Sequence, residues 1–195
     1  DDLSLLPLGK LGLPAVNDQG LIRHQSATLS VEIEMTPGLR VLRFDAPQLT
    51  CADGRRGLSG EIQLQQPAAL ESMNIATTWT ENPRAFYYNS KFNCLQASGQ
   101  FSQAGKHYLL SPTRDLGVLD WGRGVWTYNN TWYWASASGY VEGELFGLNL
   151  GYGFSDRSPA TENLLLYRGV AHKLDQVAFE FDRNDWLKPW KIRSN

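Results

Sequence analysis

Two cysteines, three histidines and two methionines are all that this 195-residue chain holds of the soft or readily ligating side chains. Cys51 and Cys94 are too few for a disulfide framework, and too few for a zinc site on their own. They read as two reduced, buried thiols, or as one bridge in a secreted protein. His24, His107 and His172 are scattered without ligand spacing, so no metal site is expected. No apolar run approaches the ~18–20 residues needed to cross a bilayer, which excludes a spanning helix. An excess of charge is lacking as well. Eighteen Lys and Arg stand against twenty Asp and Glu, and without a basic stripe nucleic acid is not an expected partner. The opening DDLSLLPLGKLGLP lacks the basic n-region and long apolar h-region of a signal peptide, which points to the cytoplasm. Phosphate and nucleotide signatures are missing too. Gly151-Tyr152-Gly153 has no βαβ unit around it, there is no P-loop, and no serine sits in a nucleophile elbow, so no cofactor is expected.

Helical periodicity is the last absence. No window of real length shows apolar residues at i, i+3 and i+4. Aromatics make up 12% of the chain, and eighteen glycines and nine prolines supply turn material, a mixture that favours strands. Residues 1–27 read as an irregular lead-in, interrupted by Gly9, Gly12, Pro14 and Gly20. From Thr28 the reading changes. Leu29, Val31, Ile33 and Met35 alternate with Ser30, Glu32 and Glu34, the period of a half-buried strand. Further strands are expected at 41–44, 58–65, 73–79, 86–95, 132–138, 145–150, 164–167, 172–174 and 177–181, with a hairpin over 100–110 turning at Ala104-Gly105. Turn signals every ~8–12 residues argue for an antiparallel all-β sandwich or barrel spanning 28–195 as one domain. Lys188 to Arg193 looks like the start of one more strand just before the chain stops. Strands supplied by a longer chain or by self-association are therefore expected.

The segment LDWGRGVWTYNNTWYWASASG, Leu119 to Gly139, holds four of the seven tryptophans. Among the rings stand one acid, Asp120, and one base, Arg123. Aromatic walls with a few placed polar groups suit a small-molecule site. Gly122 and Gly124 suggest that Asp120 and Arg123 lie in a tight loop. Asp120 would then be an acid or base in an aromatic pocket, and Arg123 would orient the ligand or the Asp itself. The alternative is a structural Asp–Arg pair. Trp126, Tyr128, Trp132 and Trp134 are candidate wall residues, or simply core. One face of the following strand would carry Trp132, Trp134, Ser136 and Ser138. Asn149, Glu162 and Asn163 form a second polar cluster. An amide in FGLNLG must find partners, and Glu162 at the mouth of a strand could join Asp120 in a two-carboxylate site or pair with Arg123 or Lys188. Asn129-Asn130-Thr131 matches a glycosylation sequon.

Three segments together resemble a bacterial family known as a domain of unknown function, DUF2804: LESMNIATTW with SKFNCLQASG, then LDWGRGVWTYNNTWYWASASG, then FGLNLGYGFSDRSPATENLLLYRGVAHKL with WLKPWKI. The resemblance covers roughly 28–195. The D-x-G-R-G-x-W pattern of Asp120–Trp126 is its most specific part. Family members usually run longer, and often carry Pro and Arg where this chain has Thr127 and Asn129. More distantly, the aromatic W-G-rich pattern is similar to lipocalin-like proteins that include carotenoid hydratases, tocopherol cyclases and some pericyclases. That resemblance implies a lipocalin-like antiparallel β-barrel, or half of a two-barrel protein, that acts on large apolar molecules.

Three functions follow as expectations. The first is cofactor-free acid–base chemistry (hydration, isomerisation or cyclisation) on an apolar or amphipathic molecule held by Trp126, Trp132 and Trp134, with catalysis by Asp120, Arg123 and Glu162. The second is a non-catalytic lipid- or pigment-binding module. The third is carbohydrate binding or hydrolysis by Asp120 and Glu162, which an open groove would favour and a closed apolar cavity would not.

Overall fold

A computed structural model describes residues 19–152 and 161–194, the side chain of Tyr152 excepted. Among them there are strands and no helix. The strands are β1 Gly20–Gln25, β2 Ser30–Thr36, β3 Leu39–Thr50, β4 Arg56–Gln65, β5 Met73–Trp79, β6 Asn82–Gln103, β7 Lys106–Leu110, β8 Leu116–Val125, β9 Tyr133–Val141, β10 Glu144–Tyr152, β11 Leu164–Tyr167, β12 Val170–Lys173, β13 Val177–Glu180 and β14 Lys191–Ser194. Among the described residues no helix is long and apolar enough to cross a membrane. The chain divides into two compact units. The first comprises 1–68 with 95–117, the second 69–94 with 118–195. Residues 1–18 of the expected lead-in lie outside the described residues, and its later part, Gly20–Gln25, is a strand. Its backbone pairs with the alternating β2, which compensates for a weak pattern of its own.

In the first unit β1, β2, β3, β4, the last part of β6, and β7 are neighbours in that order, all antiparallel. Register is legible in the cross-strand rows. Ile22, Ile33, Leu42 and Ile62 stand opposite one another, so a one-residue slip would turn every apolar side chain to the wrong face. The row on the other face is charged: Arg23, Glu32, Arg43 and Glu61. Arg43 Nη1 donates to Glu32 at 2.9 Å and its Nε to Glu61 at 2.8 Å. The hydrogen bonds from Arg43 hold the Glu61 carboxyl below its ordinary range. Such exposed pairs add only about 0.2–1 kcal/mol each, and their larger effect is on register.

In the second unit β5 pairs with residues 82–91 of β6, and β8 also pairs with β6. A four-stranded sheet runs β12–β11–β10–β9, and β13 pairs with β14. The core includes Met73, Ile75, Trp79, Tyr87, Leu150, Leu164, Leu166 and Val177. Two places depart from the expected pattern. The stretches 86–95 and 100–103 belong to one 22-residue strand, and the Gly-flanked segment 120–124 is part of β8 rather than a loop. The glycines serve a close approach of strands. A Cβ on Gly124 would meet Phe86 O at 2.2 Å, and one on Gly122 would meet Asn89 Nδ2 at 3.2 Å. The expected closed barrel is not what the described strands form. The second unit's main sheet ends at β12 and β9, and closure requires first and last strands to hydrogen-bond.

Beyond Lys91, β6 has no partner in β5, and side chains take over. Asn93 Nδ2 donates to Ala137 O and Leu148 O, each at 3.0 Å, and lies 2.9 Å from Ser136 Oγ. Cys94 N donates to Ser138 Oγ at 2.8 Å. Cys94 adopts φ +60, uncommon for a residue with a side chain, and is fully buried. Gly147 makes room there, since a Cβ on it would lie 2.9 Å from Asn93 Cβ and 3.0 Å from Cys94 Sγ.

Gly147→Ala should therefore cost about 1–3 kcal/mol of stability by overpacking, read as a lower urea midpoint with unchanged slope. Both cysteines are free, and burial pushes the Cys94 thiol above its ordinary range. Iodoacetamide at neutral pH should label one thiol, Cys51, in the native protein and both after unfolding; rapid native labelling of Cys94 would contradict its burial.

Candidate functional site

The second unit contains a cleft of about 480 Å³, within the range of small-molecule sites. Three of its lining residues, Tyr87, Asn89 and Lys91, alternate along one face of β6. Asp120 comes from β8, Trp134 from β9, Gly151 from β10, and Glu162 from the segment before β11. Trp126, Tyr128, Asn130 and Trp132 come from the loop joining β8 to β9.

The floor is charged and packed. Lys91 is only 6% exposed, and its Nζ lies 2.9 Å from Glu162 Oε2 and 3.5 Å from Asp120 Oδ2. The same Nζ stands 4.5 Å from the centre of the Trp134 ring, a cation–π contact. Glu162 is 13% exposed, and its other oxygen accepts a hydrogen bond from the Tyr87 hydroxyl. Burying an ammonium in an apolar interior is expensive unless it is paired, and here two carboxylates and an indole face surround it. Gly151 leaves room for it, since a Cβ there would stand 3.1 Å from Glu162 Oε2, a tight contact. Asp120 is 40% exposed and is the carboxylate that solvent reaches most readily.

The amides are the frame. Asn149 is fully buried, accepting from Trp134 Nε1 at 2.8 Å and donating to Glu162 O at 2.9 Å. One side chain thus fixes an indole wall and the backbone of the buried acid. Asn163 Oδ1 accepts from Gly151 N at 2.8 Å. Asn130 Oδ1 accepts from Trp79 Nε1 at 3.0 Å and from Thr127 Oγ1 at 2.9 Å, which ties the β8–β9 loop to the core. The rings of that loop stay in solvent. Trp126 and Trp132 are about half exposed, as is Trp134, and Tyr128 is fully exposed. Tyr133 is held from behind by Phe181 at 4.9 Å between ring centres, and Phe181 stacks on Trp190 at 4.4 Å. The WLKPW stretch therefore backs the cleft wall.

Several sequence candidates thus share one cleft: Asp120, Glu162, Trp126, Tyr128, Trp132 and Trp134. Asn149 and Asn163 stand behind it. Arg123 does not line it. In strand β8 residues three apart point to opposite faces, so Asp120 and Arg123 cannot form the pair their spacing suggested, and Glu162 pairs with Lys91 instead of Arg123 or Lys188. Ser136 and Ser138 serve Asn93 and Cys94 rather than the cleft. Sequence reading missed Lys91, Tyr87 and Asn89. Their signal is the alternation Tyr-x-Asn-x-Lys on one face of a strand, where a lysine that faces the core side demands a partner. Among the described residues no three His, Cys, Asp or Glu groups converge as a metal site.

An open, aromatic-walled cleft over a buried Lys–Glu pair, carried by antiparallel sheets, is the class of protein that fold and site define. The chain belongs to the family described as a domain of unknown function, DUF2804, which matches residues 1–195. Searches of the curated proteins and of the solved structures find no match, so the likeness to lipocalin-like enzymes gains no support from them.

Replacing Lys91 by Met should cost about 3–5 kcal/mol, because Glu162 is left buried without its cation. The double change Lys91→Met with Glu162→Gln should recover most of that loss, since it removes the uncompensated charge. Additive losses in urea unfolding would mean that the two groups are not coupled.

Proposed function

We propose that the protein binds an apolar or amphipathic small molecule in this cleft and moves a proton on it without a cofactor, in a reaction of the hydratase, isomerase or cyclase type. The observation that carries the reading is the bank of half-exposed indoles, Trp126, Trp132 and Trp134, set over one solvent-reachable carboxylate. The rings supply flat apolar area for the body of the ligand. Asp120 is the group that touches it and gives or takes the proton. Glu162 and Lys91 are positioning residues. The buried pair fixes the Lys91 ammonium, and that ammonium in turn orients Asp120. Arg123 has no part in this scheme.

A carbohydrate-binding or hydrolysing role is the second reading, favoured by the openness of the cleft. Asp120 and Glu162 contact the same ammonium, so their oxygens are separated by no more than those two distances laid end to end. That is of the order of the roughly 5–5.5 Å used by retaining glycosidases.

Binding is tested with the neutral fluorescent probe N-phenyl-1-naphthylamine. Trp132→Ala should weaken it about tenfold, whereas Asp120→Asn should leave it within about twofold. Chemistry is tested by incubating the protein with an apolar cell extract in deuterium oxide. Wild type should give deuterium-labelled or hydrated products by mass spectrometry, and Asp120→Asn none. Equal product from both would remove Asp120 from the mechanism. Release of nitrophenol from nitrophenyl glycosides, lost on Glu162→Gln, would favour the second reading.

A further inference from the structure

We infer that the molecule this cleft takes presents a protonated amine to Asp120 and Asn89; the inference rests on the cleft being a binding site. Charge is the first reason. Of the described residues lining the cleft, Lys91 alone is a cation, whereas Asp120 and Glu162 are both carboxylates, which leaves one negative charge in excess. Lys91 is already committed, most closely to Glu162 at 2.9 Å, and stands farther from Asp120 at 3.5 Å. The excess therefore falls on Asp120, the exposed member. An anionic ligand would meet a repulsive floor, and a neutral one would leave the excess uncompensated.

The second reason is an acceptor. Asn89 lines the same cleft next to Lys91 on β6, and its buried Oδ1 has no hydrogen-bond partner. An orphan acceptor of this kind is costly, and a small turn of the amide toward a ligand N–H satisfies it. Asp120 and Asn89 are then two acceptors for one ammonium. The third reason is the walls. Indole faces attract cations, and the cleft already demonstrates this use, with the Lys91 ammonium 4.5 Å from the Trp134 ring. Trp126 and Trp132 offer further half-exposed indole surface beside the same acceptors. A neutral sugar would stack on those rings and hydrogen-bond to Asp120, but would not offset its charge.

A matched series of soluble probes separates the possibilities: phenethylammonium, 2-phenylethanol, 3-phenylpropanoate and phenyl β-glucoside, titrated at low salt by tryptophan fluorescence and calorimetry. Phenethylammonium should bind at least about tenfold tighter than the alcohol, and the carboxylate most weakly. In Asp120→Asn, whose native circular dichroism is checked first, the advantage of the ammonium over the alcohol should fall to within about twofold. Equal or tighter binding of the alcohol, the carboxylate or the glucoside overturns the amine but leaves the cleft as a binding site. Failure of every probe to bind, or binding indifferent to Trp132→Ala, overturns the site itself and the amine with it.

Discussion

The buried ammonium of Lys91 is the constraint around which the second unit is organised. A lysine on the inner face of a strand must find anionic and aromatic company or be neutralised. It finds Glu162 at 2.9 Å, Asp120 at 3.5 Å and the Trp134 ring. Each partner imposes a further requirement. Glu162 sits close against Gly151, where a side chain would crowd it, and accepts from the Tyr87 hydroxyl. Trp134 needs Asn149 for its indole N–H, and Asn149 in turn holds the backbone of Glu162. Buried ion pairs are weak sources of net stability, and hydrophobic residues of similar volume often do as well.

The middle of β6 is the second organising point. Its early residues pair with β5, and at Asn93 and Cys94 ladder pairing gives way to side-chain bonds with β9 and β10. An amide donating to two carbonyls substitutes for a strand there, and satisfies backbone groups that would otherwise be stranded in the core. That stitch sets where Trp134 and Asn149 stand relative to Tyr87, Asn89 and Lys91. The cleft thus depends on a polar contact some distance from its charged floor.

The open character of the cleft changes the chemistry that suits it. A closed apolar barrel would have favoured long greasy ligands fully removed from water. Here the indoles of a loop tied down by Asn130 remain half in solvent above a charged floor. On the proposed reading, such a cleft suits molecules with one flat or apolar part and one polar part.

Strand content, most strand positions and the Ala104-Gly105 turn were legible in the chain, because alternation and turn residues are local properties. So was the gathering of several cleft-lining residues in 120–134 and at Glu162. Pairings were not. Asp120 and Arg123 looked like partners because they are three apart and flanked by glycine, yet the glycines serve strand crossing and the strand's two-residue period separates the side chains. Lys91 carried no local mark of its partners, which lie 29 and 71 positions further along the chain. What the sequence by itself determined is an all-β protein with aromatic and acidic groups gathered in two short segments. Which charge meets which, and that the site is an open cleft, was decided only by the tertiary structure, because ion pairs and cleft walls depend on which strands are brought face to face, and no local pattern encodes that.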